Sequence, residues 1–300
     1  MYKRKIKQRM FKTLCGVFAA ITASLLVIII GFIFYTGSSA LSLDFVLTSE
    51  LDAEGMNNGV ANAVAGTILL TFFCIVIAAP LAIAMAIYMS EYAAENRFTR
   101  TLRFLIELMS GMPSIVLGLL GLIILAFHLK YFTAGLSLLS ASIALAILVV
   151  PTVERAAEEA IKTVPNGLKE ASFALGSTKW QCIQKVVIPN SLSGIVTGIV
   201  LGLGRAAEES AVVVLTAGYA MYMPEFGLQP SSKVFMGTKV LPLHDSVASL
   251  PIAVYHAFQL PHMIPPANAF ATATVLIVLV MLINLAAKAI AWKYMAYEAR

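Results

Sequence analysis

Residues 170–189, E-A-S-F-A-L-G-S-T-K-W-Q-C-I-Q-K-V-V-I-P, form a polar segment between two long apolar stretches of the chain. Ala171 and Ala174 are small enough to allow tight docking, and Glu170 offers a charge or a hydrogen bond. Gly176 permits a turn or a close backbone approach. The segment therefore predicts a short polar helix that ends at a glycine turn and joins two apolar helices.

The composition around this segment favours a membrane protein. Of the 300 residues, 59% are hydrophobic and 12% are charged, whereas soluble proteins carry about 25% charged residues. A spanning helix needs about 20 mostly apolar residues, so the chain has room for several. We predict an all-α membrane protein surrounded by lipid. The net charge of +5 is interpreted as a topology signal, and no nucleic-acid partner is expected.

Six apolar stretches predict six transmembrane helices. Their approximate bounds are 14–35, 64–89, 104–127, 136–153, 192–217 and 270–292. The chain then divides into a basic tail 1–13, an anchor helix 14–35, an outer loop 36–63, a transmembrane domain 64–292 with an inner loop 154–191 and an outer segment 218–268, and a tail 293–300. Within the outer segment, apolar residues at helical spacing between Asp245 and Leu260 predict an interfacial or re-entrant helix.

The first apolar stretch has one alternative interpretation, a cleaved signal peptide. It has a basic start, and Ser38-Ser39-Ala40 offers small residues for cleavage. Its apolar run is longer than the roughly 7–15 residues that are typical of signal peptides. We therefore favour an uncleaved anchor.

The distribution of Lys and Arg indicates which loops face the cytoplasm. Seventeen of these residues lie in the two tails and in the loops after spans two and four. Only three, Lys130, Lys233 and Lys239, lie in the alternate loops. This bias predicts that both termini and the loop 154–191 are cytoplasmic.

The polar segment contains a dispersed pattern of constrained positions, and other stretches have distinct patterns of their own. Its constrained residues are Glu170, Ala171, Ser172, Gly176, Val186, Ile188 and Pro189. The other stretches are L-S-L-D-F-V-L at 41–47, G-T-I-L-L-T at 66–71, P-L-A-I-A-M-A-I-Y-M-S-E-Y at 80–92, G-M-P-S-I-V-L-G at 111–118 and A-L-G-S-T-K-W at 174–180. Together they resemble the phosphate-uptake ABC permeases of the PstA type over about residues 60–290, with Ser172 in place of Ala and Ile188 in place of Leu.

The resemblance implies a type I ABC importer permease (MetI-like) fold in the cytoplasmic (inner) membrane. It implies a non-catalytic subunit that imports inorganic phosphate with a second permease of the PstC type, an ATPase dimer of the PstB type and an external phosphate-binding protein of the PstS type. It also implies that the polar segment couples to the ATPase. The coupling residues would be Glu170, Ala171, Ser172, Ala174, Leu175, Gly176, Trp180, Ile188 and Pro189. The alternative is an ordinary amphipathic connecting helix.

The sequence contains no G-x-x-x-x-G-K-[S/T] phosphate-binding loop, so ATP hydrolysis is expected in another polypeptide. ATP and Mg²⁺ are accordingly expected to bind the partner ATPase, and no cofactor is assigned to this chain. The three cysteines and four histidines lack the spacing of a metal site. No catalytic residue or metal ligand is assigned.

Charged residues in the fifth span are candidates for the substrate path. Arg205 lies about halfway along an apolar stretch, where an unpartnered charge costs about 3 kcal/mol or more. Glu209 is four positions on and can pair with it, whereas Glu208 points about 100° away. We interpret Arg205, Glu209 and Glu208 as a gate on an anion path. The alternative is a buried structural ion pair.

The fifth span also departs from the family that it resembles. That family usually has Gly and Pro where this chain has Glu208 and Val212. The added negative charge beside an anion path leaves the cargo open between inorganic phosphate, another oxyanion and a phosphonate.

Other residues in or near the spans have structural interpretations. The acidic cluster at the inner end of span four predicts a solvated helix face with an Arg155–Glu159 pair. Glu107 is either an intramembrane acid or a water-facing residue near the cytoplasmic end. Small residues in span five predict a close helix contact, within the subunit or with the second permease. They are Gly194, Gly198, Gly202 and Gly204.

Two other classes of function stay open at the level of the sequence. An ion-gradient-driven carrier or channel usually shows repeat symmetry or interrupted half-helices, and the sequence indicates neither. A membrane scaffold without transport activity would tolerate the loss of Arg205.

Overall fold

The structure, a computed structural model, describes residues 2–53, 59–231, 234, 237–260, 262 and 264–298. Within these residues five helices are long and apolar enough to cross a membrane, and a bent helix pair adds a sixth if it counts as one span. The all-α class with up to six spans is thereby confirmed. The described residues also contain an antiparallel hairpin, which the sequence analysis did not predict.

The elements follow one another from the basic tail to the C-terminal helix. In chain order they are α1 (Tyr2–Gly37), α2 (Leu43–Leu47), α3 (Ala61–Ile87), α4 (Arg97–Gly111), α5 (Ser114–Gly121), α6 (Lys130–Thr133), α7 (Leu138–Lys162), α8 (Asn166–Ala174), α9 (Lys179–Cys182), α10 (Ile188–Glu208), α11 (Ala211–Thr216), β1 (Gly227–Pro230), β2 (Thr238–Leu241), α12 (Leu250–Gln259) and α13 (Pro266–Glu298). Short π-helical segments extend α3, α5 and α9; they are Tyr88–Tyr92, Leu122–His128 and Ile183–Val187.

Helix α7 is the centre of the bundle, because it packs against α3 on one side and α10 on the other. Leu145, Val149 and Val153 of this helix are fully buried in the main core. Lipid provides no hydrophobic driving force between helices, so close packing must supply the association energy. The most apolar part of α7 is 67% buried, compared with 0% for α1. α1 therefore lies at the periphery, where it contacts α13.

Glycines on α10 allow this helix to approach α7 closely. A Cβ atom added at Gly194 would lie 2.4 Å from the Ala160 side chain, and one at Gly198 would lie 2.8 Å from Ala156. Both distances are shorter than real Cβ contacts. These glycines therefore serve a contact within the subunit, which decides between the two alternatives that the sequence left open.

The predicted straight span 104–127 is wrong. α4 ends before Met112 and α5 begins after Pro113, and the helix pair is bent by 103°. Met112 and Pro113 are both extended, with ψ values of 137° and 132°. The proline accounts for Met112, because it disfavours helical backbone at the residue before it. α4 thus lies close to perpendicular to α5, and its charged residues stay outside the apolar part of the span.

The predicted uninterrupted span 192–217 is also wrong. α10 ends at Glu208, and α11 begins at Ala211. Glu209 between them is extended, with φ −77° and ψ 122°. The chain therefore contains an interrupted helix, a feature that the apolar pattern alone did not indicate.

The outer segment contains the short helix that the sequence predicts. α12 is shorter than the expected stretch, and its residues Leu250 and Ile252 are fully buried. It therefore packs into the bundle and is not confined to the surface. Thr67 of α3 fixes its start, because Thr67 Oγ1 accepts a hydrogen bond from the Leu250 N–H at 2.9 Å.

Hydrogen bonds join the loop after α2 and the first turn of α3 to the loop after α11. Tyr219 donates its hydroxyl proton to Glu50 Oε2 at 2.5 Å, and Asn62 Nδ2 donates to the Ala220 carbonyl at 2.8 Å. Burial, together with the hydrogen bond to the Glu50 carboxylate, raises the pKa of Tyr219. The phenol hydroxyl is therefore the donor in this contact.

The loops sort to the two ends of the bundle in the alternation that the charge pattern predicts. At one end Lys169 pairs with Glu91 and Arg103 pairs with Glu158, so the loops after α3 and α7 lie together. At the other end lie the loops after α1 and α11. The cytoplasmic assignment of the first end remains a prediction from the charges, and the outer Lys233 lies outside the described residues.

The contact between α3 and the outer segment leads to a stability prediction. A Cβ at Gly66 would lie 1.9 Å from the Ala248 carbonyl oxygen, which is a backbone atom and cannot rotate away. Overpacking of this kind costs about 1–3 kcal/mol. We expect Gly66→Ala to lower the thermal unfolding midpoint of the purified protein in detergent.

Gly31→Ala in α1 is the matched control. A Cβ at Gly31 meets nothing within 4 Å, and Ala is the better helix former by about 0.5–1 kcal/mol. This variant should unfold at the wild-type temperature or above it. Equal midpoints for the two variants would contradict the assigned contact.

Candidate coupling segment and charged helix break

Residues 166–182 form a helix–turn–helix unit at one end of the bundle, named here the polar unit. It consists of α8, the turn at Gly176 and α9. α8 begins directly after Pro165 and ends at Ala174, and Gly176 follows with φ +84°. That value lies in the left-handed region, which glycine adopts without steric cost. Ser177 Oγ donates to the Ser172 carbonyl at 2.8 Å and lies 2.6 Å from the Ser172 hydroxyl. These contacts fix the turn, and the predicted position of Gly176 at a turn is confirmed.

Helix α8 presents an uncovered and partly apolar face. None of its residues is buried, and Leu168 and Phe173 are 43% and 46% exposed. Leu175, which follows the helix, is 90% exposed. The other predicted contact residues on α8 are exposed or half-buried; they are Glu170, Ala171, Ser172 and Ala174. Exposed apolar side chains grouped in this way indicate an interaction surface.

Buried residues that follow Trp180 anchor the unit to the bundle. Trp180 is 52% exposed, whereas Cys182 and Ile183 are buried. Ile188 and Pro189 are half-buried where the π-helical segment Ile183–Val187 continues into α10. The packing anchor is therefore the short stretch after Trp180.

Two polar contacts tie the unit to the π-helical end of α3. Lys169 Nζ forms an ion pair with the Glu91 carboxylate, and Lys179 Nζ lies 4.8 Å from the centroid of the Tyr92 ring. Both lysine side chains are attracted to groups on the same turn, by charge and by the ring quadrupole. The sequence analysis did not assign a role to these residues. The one indication in the sequence was that Glu91 and Tyr92 are the last two residues of the family-like stretch 80–92.

Arg205 and Glu209 meet at the helix break. Arg205 Nη2 lies 3.3 Å from Glu209 Oε2, and the Arg205 side chain is 50% exposed while that of Glu209 is 6% exposed. Glu209 Oε1 also accepts a hydrogen bond from the Ala211 N–H at 3.2 Å. The pairing agrees with the expectation, but the two residues meet across a helix end and not along one helical face. The buried carboxylate thus holds both the arginine and the start of α11.

Glu208 does not join this pair. It is exposed and lines a groove of about 530 Å³ between α10 and α13, together with Asn284 and Lys288. The Asn284 Oδ1 atom is buried and has no hydrogen-bond partner among the described residues. Glu208 thus faces the groove toward α13, away from the Arg205–Glu209 pair. Asn284 is a polar residue of the C-terminal span that the sequence analysis missed.

The acidic cluster at the end of α7 is a solvated face only in part, because Arg155 and Glu159 are exposed whereas Glu154 is buried. α7 continues past the predicted end of span four, and Glu154 is 1% exposed. Glu158 lies 3.3 Å from Arg103 of α4 and 2.7 Å from Lys162. These pairs replace the predicted Arg155–Glu159 pair, because the bend at Met112–Pro113 brings α4 alongside α7.

Glu107 is exposed on α4, outside the apolar part of the span. It lines a small cavity together with Glu154 and Glu158. The water-facing alternative for Glu107 therefore agrees with the structure.

These features define a helical membrane permease with an exposed polar unit at one end and a charged break within one span. Residues 78–293 match the family of binding-protein-dependent transport system inner membrane components, and the chain belongs to this family. The protein is a permease subunit of an ABC importer. Family membership decides against the ion-gradient carrier and the scaffold.

Two curated relatives place the chain within the family. It is 32% identical over 287 residues to the probable ABC transporter permease protein YqgI of Bacillus subtilis (strain 168), with 95% of each chain covered. It is 35% identical over 193 residues to the phosphate transport system permease protein PstA 1 of Mycobacterium tuberculosis (strain CDC 1551 / Oshkosh), which covers 64% of this chain and 57% of that protein. The resemblance to PstA-type permeases is thus confirmed.

Solved structures of ABC importers share the fold. A bacterial ABC transporter involved in the import of the acidic polysaccharide alginate matches with a TM-score of 0.59 at 14% identity, over 95% of this chain and 99% of that chain. The inward-facing MetNI methionine ABC transporter matches with a TM-score of 0.55 at 22% identity, over 78% of this chain and 94% of that chain. The predicted type I importer fold is confirmed.

Proposed function

We propose that this permease carries inorganic phosphate across the cytoplasmic membrane. The observation that carries the proposal is the 35% identity to the phosphate permease PstA 1 over 193 residues. The half-exposed Arg205 at a helix break adds a cation where an anion would pass. Because the match covers 57% of that relative, the cargo belongs to this proposal and not to the family assignment.

The Arg205–Glu209 pair at the end of α10 suits the passage of an anion better than its tight binding. The guanidinium of Arg205 is half exposed, whereas the Glu209 carboxylate is withdrawn into the protein. An anion that arrives from the open side therefore meets the cation first, in surroundings where charges attract strongly. The paired carboxylate weakens this attraction, so the anion can leave again. High-affinity capture would then be the task of an external binding protein.

The polar unit would transmit the work of ATP binding. The exposed face of α8 would dock on the partner ATPase dimer, which would hold ATP and Mg²⁺, while this chain performs no catalysis. The ion pair of Lys169 with Glu91 and the contact of Lys179 with Tyr92 link the unit to α3. α3 packs on α7, so a displacement of α8 would reach the centre of the bundle.

A second permease subunit would complete the substrate path. Arg205 and Glu208 are exposed at the level of the spans, and charged side chains that face lipid are costly. An opposing subunit of the PstC type would cover them. In this assembly both termini and the polar unit face the cytoplasm, and a phosphate-binding protein of the PstS type delivers the cargo from outside.

One observation favours a second candidate cargo, another oxyanion or a phosphonate. Glu208 is exposed one residue before the buried Glu209, and it adds a negative charge near the path. Such a charge would disfavour a doubly charged anion, phosphate or sulfate, more than a singly charged one, so within this class it favours a phosphonate monoanion.

The cargo is tested by uptake of labelled phosphate into proteoliposomes that contain the complete transporter and its binding protein. We expect ATP-dependent and vanadate-sensitive uptake that excess unlabelled phosphate suppresses and that sulfate and methylphosphonate leave unchanged. Stronger suppression by sulfate or methylphosphonate than by phosphate would assign the cargo to the second candidate.

The role of Arg205 is tested with two variants, because the single substitution leaves a buried carboxylate without its cation. Arg205→Ala should lower phosphate uptake by about ten-fold or more, which corresponds to about 1.4 kcal/mol of barrier height. The double variant Arg205→Ala/Glu209→Gln removes both charges, while the amide oxygen of the introduced glutamine can still accept the hydrogen bond from the Ala211 N–H. It should assemble normally and still fail to transport.

The matched control is Lys239→Ala/Asp245→Asn, which removes an ion pair of 2.9 Å in the outer segment. Its uptake should equal that of the wild type. Recovery of uptake in the Arg205→Ala/Glu209→Gln variant would assign the pair a purely structural role.

Coupling is tested at Gly176, whose left-handed backbone disfavours other residues by about 1 kcal/mol or more. Gly176→Asp should lower the number of phosphate ions imported per ATP hydrolysed, because the turn that positions α8 is strained. Gly237→Asp is the control, since Gly237 also has positive φ (+67°) and, like Gly176, nothing within 4 Å of an added Cβ. Equal transport-to-hydrolysis ratios for both variants and the wild type would falsify the coupling role.

A further inference from the structure

A polar pocket lies where the chain leaves α3 and enters α4, at the same end of the bundle as the polar unit. It has a volume of about 530 Å³ and is lined by Glu95, Asn96, Thr99, Arg100, Arg103 and Lys162, among others. Three of these residues are cationic. None of the residues assigned to coupling or to the substrate path lines it, so the proposed function does not account for this pocket.

Two of the cations are held in place by a shared partner. Arg103 and Lys162 both approach the Glu158 carboxylate, at 3.3 Å and 2.7 Å, yet their side chains remain 47% and 51% exposed. Arg100 is exposed and makes no ion pair within the described part of the chain. The pocket therefore combines two positioned cations with one whose charge is not compensated, which is the arrangement that recognises a phosphate-type anion.

A buried hydroxyl points to a ligand independently of the charges. Thr99 is 7% exposed and lines the pocket. Its Oγ1 atom is buried and has no hydrogen-bond partner among the described residues. An unsatisfied buried hydroxyl is costly. Rotation of the Thr99 side chain about χ1 would turn the hydroxyl into the pocket, where a ligand oxygen would satisfy it.

The helix that carries these residues has a second exposed face, and that face is apolar. Phe98 and Phe104 are each 60% exposed, and Leu105 and Leu108 are each 45% exposed. α4 lies close to perpendicular to α5, so it runs along the membrane surface if α5 crosses the bilayer. A basic helix with an adjacent apolar face in this orientation lies at the boundary between lipid headgroups and acyl chains.

We propose that this pocket binds the headgroup of an anionic phospholipid, with the acyl chains against the apolar face of α4. The phosphodiester would contact Arg100, Arg103 and Lys162 and accept a hydrogen bond from Thr99. Glu95 at the exposed rim adds a negative charge, which suits a headgroup with hydroxyl donors such as phosphatidylglycerol. The exposed apolar residues beside the pocket favour a lipid over free phosphate, because free phosphate would leave them uncovered.

The test is a titration of the purified, complete transporter in detergent with phosphatidylglycerol or phosphatidylcholine, followed by native mass spectrometry. We expect saturable binding of phosphatidylglycerol and not of phosphatidylcholine. Arg100→Ala should weaken this binding by about ten-fold, because it removes a charge-assisted hydrogen bond to the phosphodiester within the pocket. Arg97→Ala removes the same charge from the same helix outside the pocket, and it should leave the affinity unchanged.

Thr99→Val gives a readout that a merely structural role would not produce. It removes the unsatisfied hydroxyl and keeps the shape, so thermal stability should not fall while lipid affinity does. Equal weakening by Arg97→Ala and Arg100→Ala would reduce the effect to unspecific charge attraction and overturn the proposal. Displacement of phosphatidylglycerol by millimolar inorganic phosphate would overturn it as well, by assigning the pocket to a free anion.

Discussion

Close contact between helices is the constraint on which this structure depends. In lipid, apolar side chains gain little from leaving their surroundings, so helices associate through small residues that let backbones approach. α7 meets α10 through Gly194 and Gly198, and α3 meets the outer segment through Gly66. Each of these positions excludes even a methyl group. The remaining elements, including the peripheral α1, are arranged around this tightly packed centre.

The positions of the charged groups depend on a second property of the membrane, its low polarity. Because an isolated charge in the apolar layer is costly, Glu209 is buried only where a cation and a backbone N–H both reach it. Glu158 is similarly held between Arg103 and Lys162. The cations of both clusters stay about half exposed, Arg205 in the first and Arg103 and Lys162 in the second. This exposure makes each cluster a candidate for anion recognition.

The sequence predicted the parts of the fold that depend on composition and local pattern. Apolar length located the spans, charge bias grouped the loops, and the glycine at position 176 located the turn after α8. It did not predict the bend at Met112–Pro113 or the break at Glu209, because each lies within a stretch that is long and apolar enough overall to suggest one span. A proline within a span signals an altered backbone, but the 103° bend depends on what α4 packs against.

The candidate site was likewise predicted from the sequence only in part. Arg205 and Glu209 were found because charges are rare in an apolar stretch, and their pairing was expected from their spacing. Their junction with α11 was not, since it depends on the backbone of Glu209. Lys169, Glu91, Thr99 and Asn284 were missed because each looks ordinary in sequence, and its importance arises from a partner, or a missing partner, that is distant along the chain.

The π-helical turn Tyr88–Tyr92 determines how the polar unit is attached to α3. A π turn corresponds to one extra residue inserted into an α-helix, and the side chains after it are rotated by about 100° relative to an unbroken helix. That rotation directs Glu91 and Tyr92 toward the two lysines that flank the glycine turn. The mechanical attachment of the polar unit therefore depends on the register of this single turn and not on the packing of the membrane core.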